Sequence, residues 1–211
     1  MRCFIAVLLS LSLLAVSSPA QARRGRKPRP LTPVTDAGFA RLAAENGAET
    51  PAVYESSVGR FIYDPGPGGG SFWFLTGDHA RPEGYQGPTS VAVEISGDGK
   101  KIKRCVLVES RETLSYVKKY FERGSKKGGN PFFNQFRDMV LGPGEKDVIP
   151  EVDAVSGATM TSRAIRRAVE ATCRKVLPMI RSGVLKDGKV VNEGYAVREA
   201  VPEGPARSGD E

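Results

Sequence analysis

The apolar positions of this 211-residue chain change period several times, and each change marks an element. Residues 3–16 are an almost unbroken apolar run. Residues 35–46 place Phe39, Leu42 and Ala43 on one side of a helix that Gly47 stops. Strands are expected at 53–54, 59–63 and 72–75, where aromatic and β-branched residues gather, with a Pro/Gly turn region over 64–70. Residues 78–84 read as loop. Val91, Val93 and Ile95 alternate with Ala92 and Glu94, the pattern of a half-buried strand. The Ser96-Gly97-Asp98-Gly99 turn returns the chain into 102–108 as its partner.

Helical spacing resumes at 112–123, with Leu114, Val117 and Phe121 aligned. Asn130 as a cap and Pro131 at the first helical position open a helix expected over 132–141, carrying Phe133, Phe136 and Val140. The longest helix starts at Thr161 or Ser162 and runs to about Arg181, with Pro178 as a kink or an early stop. Ile165, Ala168, Val169, Cys173, Val176 and Ile180 form its inward stripe; Arg163, Arg166, Arg167, Arg174 and Arg181 mark its outer side. A small hairpin follows at 184–191 around Asp187-Gly188, and 193–211 read as a polar tail. No internal repeat is visible. These elements predict an α+β fold with mainly antiparallel pairing and packed helices.

Composition changes this picture only at the ends. Apolar residues at 40% and charged ones at 26% are ordinary for a globular protein, and a net charge of +7 suggests an anionic partner. The location of the charge removes most of that suggestion. Arg2 and five basic residues within 23–29 supply six of the 31 basic side chains and none of the 24 acids, leaving 25 against 24 for residues 30–211. Met1-Arg2, the apolar run and Ala20-Gln21-Ala22 have the order of a secretory signal peptide, with cleavage expected after Ala22. This run of 14 residues, interrupted only by Ser10 and Ser12, is short for a membrane span, which takes about 20; if uncleaved, it would serve as an anchor. Residues 23–34 read as a basic, Pro-rich linker able to touch an anionic membrane surface. No nucleic-acid motif accompanies it, so no nucleic-acid partner is expected.

Cys105 and Cys173 remain after processing, 68 residues apart, with no C-x-x-C unit. One falls on a strand and the other on the inward stripe of a helix, so two buried thiols are expected rather than a bridge. His79, the only histidine, is read as a surface loop residue, and no metal site is expected.

The stretch that carries chemistry is Asp153-Ala154-Val155-Ser156-Gly157-Ala158-Thr159-Met160-Thr161-Ser162, which runs into the longest helix. Small residues let backbone N–H groups approach a phosphate, and the helix aims its positive end at the same place. Ser156, Thr159, Thr161 and Ser162 add hydroxyls. An ordinary capping loop would use the same residue types.

Asp-x-x-Ser-Gly-Ala-Thr resembles the flavinylation motif of the FMN-binding domain family, which includes the covalent-flavin subunits of Na+-translocating NADH:quinone reductase and of Rnf-type complexes. Three further elements match in order. Gly84-Tyr85-Gln86-Gly87-Pro88 resembles the family's G-Y-x-G-P opening, Glu112-Thr113 its Glu-Thr element, and residues 130–136 the helix with its Gln-Phe pair. Together they span about 53–180 within a domain expected over 35–192. The resemblance implies FMN joined by a phosphoester to Thr159, in the loop before the longest helix, installed from FAD by a Mg2+-dependent flavin transferase. Asp153, Ser156, Gly157, Ala158 and Thr161 would shape that site. Gly84, Tyr85, Gly87, Pro88, Glu112 and Thr113 are candidates for the flavin environment. For Tyr85 core packing is the alternative, and for Glu112 first-turn helix charge. Where the family often continues Glu-Thr with Pro-Gly-Leu-Gly, this chain has Leu114-Ser115-Tyr116-Val117.

The resemblance and the signal together imply an exported, periplasmic or otherwise extracytoplasmic flavoprotein acting in electron transfer. Its partners would be the transferase and redox donor and acceptor proteins, some of them membrane-bound. No G-x-G-x-x-G follows a strand, which argues for a carrier or a redox-complex component over a stand-alone NAD(P)H oxidase. A small reductase with its own acceptor, or a flavin-free binding or regulatory module, are the alternatives.

Overall fold

The computed structural model describes residues 32–49, 51–66, 69–80, 82–122, 131–144, 147–186, 189–190 and 198–199. The expected export signal, nearly all of the basic linker and most of the tail lie outside these residues.

Strands β1 (Val53–Ser56), β2 (Gly59–Asp64), β3 (Ser71–Leu75), β4 (Thr89–Ser96), β5 (Lys101–Ser110) and β6 (Met139–Val140) form an antiparallel sheet in the order β6-β5-β4-β3-β2-β1. β7 (Leu185–Lys186) and β8 (Lys189–Val190) make the expected hairpin. β9 (Arg198–Glu199), inside the segment read as tail, adds a two-residue strand beside β1.

Period-two alternation sends neighbouring side chains to opposite faces, and both faces are covered. On one, Phe39 and Ala43 of helix α1 (Asp36–Glu45) pack with Ile62, Trp73, Leu75 and Ala92. On the other, Ile165, Val169, Cys173 and Val176 pack with Phe61, Phe72, Phe74, Val91 and Val93. This coverage overturns the half-buried reading of β4. Ala92 and Glu94 are buried as well, because α1 closes the face that the alternation assigned to solvent.

Glu94 survives burial through its partners. Lys103 Nζ lies 2.8 Å and Arg104 Nε 2.6 Å from its carboxylate, and Ser71 donates a hydroxyl at 2.8 Å. Adjacent residues reach one carboxylate because the β4–β5 register shifts there: Glu94 pairs with Arg104 and Ile95 with Ile102, leaving Lys103 as a bulge. A second shift leaves Val108 unpaired, just before the strand delivers Glu109–Ser110 toward the candidate site.

The remaining helices are α2 (Thr76–His79), α3 (Leu114–Val117) continued by a π-helical turn (Lys118–Glu122), α4 (Pro131–Asn134) and α5 (Thr159–Arg181). Several expectations change here. The 78–84 loop is helical at its start. The helix expected over 132–141 lasts one turn. It unwinds through i→i+3 bonds at Gln135, Phe136 and Arg137, and Asp138, at φ +54°, turns the chain into β6. Phe132, Phe133 and Phe136 still enter the core, so the apolar spacing was satisfied without a helix. Pro178 neither stops nor ends α5, which continues to Arg181. Asn130, the expected cap, lies outside the described residues.

Candidate functional site

Helix α5 begins at Thr159, two residues earlier than the apolar stripe suggests, and its N-cap is Ala158, which has no side chain able to cap. The N–H groups of Thr159, Met160 and Thr161 therefore find no acceptor among the described residues. A 23-residue helix directs its dipole through this open end.

The preceding loop is built around a turn in which Ala158 N–H donates to Val155 C=O at 2.9 Å. Gly157 takes φ +80°, a conformation that favours glycine, and a Cβ there would lie 2.7 Å from Tyr120 Oη. Ser162 Oγ accepts from Val155 N–H at 3.1 Å and donates to Ala158 C=O at 2.9 Å, so this hydroxyl ties the loop and is spent. Gln135 holds the other end: its Oε1 accepts from Asp153 N–H at 2.8 Å and its Nε2 donates to Asp153 C=O at 3.1 Å. Asp153, Ser156 and Thr159 are exposed, while Ala158 is buried.

A second cluster adjoins. Glu112 is only 6% exposed, and its Oε1 accepts from Thr161 Oγ1 at 2.6 Å, Tyr85 N–H at 2.6 Å and Gln86 N–H at 3.3 Å. Its Oε2 is buried without a partner. Tyr116 Oη stands 3.4 Å from Thr161 Oγ1, and burial pushes the Tyr116 phenol up from its ordinary range, with the nearby Glu112 adding to the effect. Gly84 admits no side chain, since a Cβ would meet Glu112 Oε1 at 2.5 Å, and its N–H donates to Gly87 C=O at 2.8 Å. Pro88 C=O accepts from Arg111 N–H at 3.1 Å, fixing the turn to the end of β5.

These contacts decide several open readings. Glu112 lies in a bend before α3, ahead of its N-cap Thr113, and organises two loops, so first-turn helix charge is not its role. Tyr85 is 55% exposed, which removes core packing; Leu114 at 64% and Met160 at 59% are exposed beside the same cluster. Thr113 is exposed and meets only Ser115 among the described side chains, away from the Glu112 hydrogen bonds. Thr161 is 1% exposed, so its hydroxyl is closed to a large reactant, whereas that of Thr159 is open.

Sequence reasoning missed Tyr116 and Tyr120, and gave Gln135 no role. The signal for Tyr120 was indirect: the glycine of Ser-Gly-Ala needed a flat neighbour. His79 also departs from expectation. Its ring packs edge-on to Phe74 at 6.1 Å, both nitrogens are buried without partners, and burial lowers its pKa to about 4. The structure leaves Cys105 and Cys173 as free, buried thiols; burial pushes Cys105 well up and Cys173 up to about 12. Among the described residues no group of three His, Cys, Asp or Glu side chains could hold a metal ion.

Residues 84–174 match the family model described as the FMN-binding domain. No curated protein matches the chain. The match starts at Gly84 and ends within α5, so it contains both clusters and omits α1 and β1 to β3. The residues present suit a flavin mononucleotide: an uncapped helix end for phosphate, a glycine turn held against Tyr120, and an orphaned carboxylate oxygen for the donors of a ribityl chain or ring.

Proposed function

We propose that this chain, whose residues 84–174 match the FMN-binding domain model, is an exported flavoprotein of that family bearing FMN in phosphoester linkage to Thr159 and working as an electron carrier. The observation that supports the attachment point is the exposed Thr159 hydroxyl at the first position of an uncapped helix. The bound flavin supplies reversible electron uptake.

The chain's own residues prepare the attachment. Open N–H groups at Thr159, Met160 and Thr161 offer donors to phosphate oxygens, and the helix end favours their negative charge. Gly157 and Tyr120 set the direction in which the Thr159 hydroxyl leaves the loop. Gln135 and Ser162 hold the loop before any cofactor arrives, so little ordering is left for the transfer step. Thr161 and Glu112 are positioning residues that join the α5 start to the Tyr85–Gln86 turn.

The carrier role, in place of a self-contained reductase, rests on the sequence: no dinucleotide-binding motif accompanies the domain. The extracytoplasmic location rests on the leader-like start, outside the described residues, and on a flavin transferase that acts outside the cytoplasm. Redox donor and acceptor proteins, with membrane contact through residues 23–29, complete the proposal.

Intact mass tests it. Co-expression with a flavin transferase should add the mass of one FMN less one water, mapped to the peptide containing Thr159. Thr159→Ala should give a folded, colourless chain. An unchanged mass in the wild type, or flavin retained by Thr159→Ala, would refute the assignment.

A further inference from the structure

The outward face of α5 is charged in a way the rest of the chain is not. Its 23 residues hold six cationic side chains and one acid, Glu170, whereas basic and acidic side chains nearly cancel over residues 30–211. Glu170 is engaged within the helix, with Arg174 Nη2 at 2.5 Å and Arg166 Nη1 at 3.9 Å. Arg163 and Arg167 are exposed and have no carboxylate partner among the described residues; Arg167 Nε donates instead to Arg163 C=O at 3.3 Å. Glu151 and Asp153 are the exposed acids of the preceding loop. Glu151 lines a hollow with Arg166, and neither pairs with Arg163 or Arg167.

These two guanidiniums lie beside the proposed tether. Arg163 is one turn beyond Thr159 and Arg167 a turn further, about 12 Å of helix rise from it. Met160, 59% exposed, heads the same stripe three residues before Arg163. Lys119 brings a cation from a second element: its Nζ stands 4.8 Å over the ring of Tyr120, whose hydroxyl faces Gly157 of the turn. The sign opposes helix stability. The first turn has no acid, and the first charge behind the positive helix end is Arg163. Exposed Met and Arg are residue types that protein interfaces enrich.

We propose that the Met160–Arg163–Arg167 stripe is the docking face for an acidic one-electron carrier protein, which there meets the FMN tethered at the head of the stripe. The inference rests on the reading of Thr159 above and adds the chemistry of the redox partner. Two guanidiniums free of carboxylates attract and orient an acidic surface, and their planar forks match its carboxylates. Met160 adds an apolar contact once the surfaces meet. An anionic membrane fits this face less well. A helix lying on lipid sinks an apolar face into it, and the apolar face of α5, from Ile165 to Ile180, is already buried in the core.

Anaerobic stopped flow on the full flavinylated chain tests the docking face, with acidic plastocyanin and basic cytochrome c as probes. Two copper(II) centres each take one electron from the reduced flavin, which returns to its oxidised form and releases one proton to solvent. The rate constant with plastocyanin should fall at least about tenfold between about 10 and 300 mM ionic strength, and that with cytochrome c should not fall. In Arg163→Glu/Arg167→Glu, verified by intact mass to carry one FMN, the low-salt rate with plastocyanin should drop at least about tenfold while cytochrome c reacts faster. Arg167→Glu alone, two turns from the tether, should lower the plastocyanin rate about threefold, and it gives the reading if the double variant takes up no flavin. An FMN-bearing chain whose plastocyanin rate ignores salt, or is unchanged in these variants, overturns the docking face and leaves the attachment standing. A wild-type chain that takes up no FMN overturns both. Loss of cosedimentation with phosphatidylglycerol vesicles in the variants, at an unchanged plastocyanin rate, assigns the stripe to a lipid surface and overturns the proposal.

Discussion

Thr161→Val removes one oxygen and keeps the shape of the side chain, so it isolates the hydrogen bonding that joins the two halves of the site. The lost contacts are the 2.6 Å donation to Glu112 Oε1, a 3.2 Å contact from Tyr85 N–H and the 3.4 Å contact with Tyr116. The first dominates, since a hydrogen bond to a charged group contributes about 1.5–3 kcal/mol and the others are long. Glu112 is 6% exposed, so water cannot replace the missing donor. We expect a loss of about 2–3 kcal/mol, which for a chain of this size lowers Tm by roughly 4–12 °C. Urea unfolding of the flavin-free protein reads the free energy. A cycle with Glu112→Gln should show coupling of at least about 1 kcal/mol between the two positions. Intact mass should still report one FMN, because Thr159 is untouched. A stability change below about 0.5 kcal/mol would refute the account of the cluster. Loss of FMN from Thr161→Val with retention in Thr159→Ala would move the attachment to Thr161.

Gly157→Val forces a β-branched residue into φ +80° and against Tyr120. It should cost about 2–4 kcal/mol in urea unfolding and sharply reduce flavinylation, while Tyr120→Ala should restore part of the stability. His79 titrates at about 4 when folded against 6.5 when unfolded, so its contribution is complete above pH 6.5 and is lost as pH falls toward 4. Wild-type Tm should therefore drop across that window more steeply than that of His79→Leu; parallel curves would refute its burial as neutral. Cys105 and Cys173 should resist a thiol reagent in the native protein and react together on unfolding, given their burial and raised pKa values.

Local patterns carried much of this molecule. The 3.6-residue stripe from Ile165 to Ile180 predicts α5, and Ser96–Gly99 predicts the β4–β5 turn, because helix faces and tight turns are written over a few adjacent residues. Asp153 to Thr159 named the site for the same reason: a phosphate-holding loop and the helix behind it are contiguous. Contacts across long separations left no such trace. Glu112 reaches Thr161 over 49 residues and Tyr85 over 27, so a residue open to a helix-charge reading became the hub of the site only once the sheet had brought three loops together. The burial of Glu94 and His79 followed from which faces α1 and α5 cover, and Phe132–Phe136 met their helical spacing inside a turn that Asp138 ends. Sequence determined which groups could bind a phosphate. Tertiary structure decided which hydroxyl stays open and which carboxylate is buried, because exposure and pairing are properties of the assembled layers and not of any segment within them.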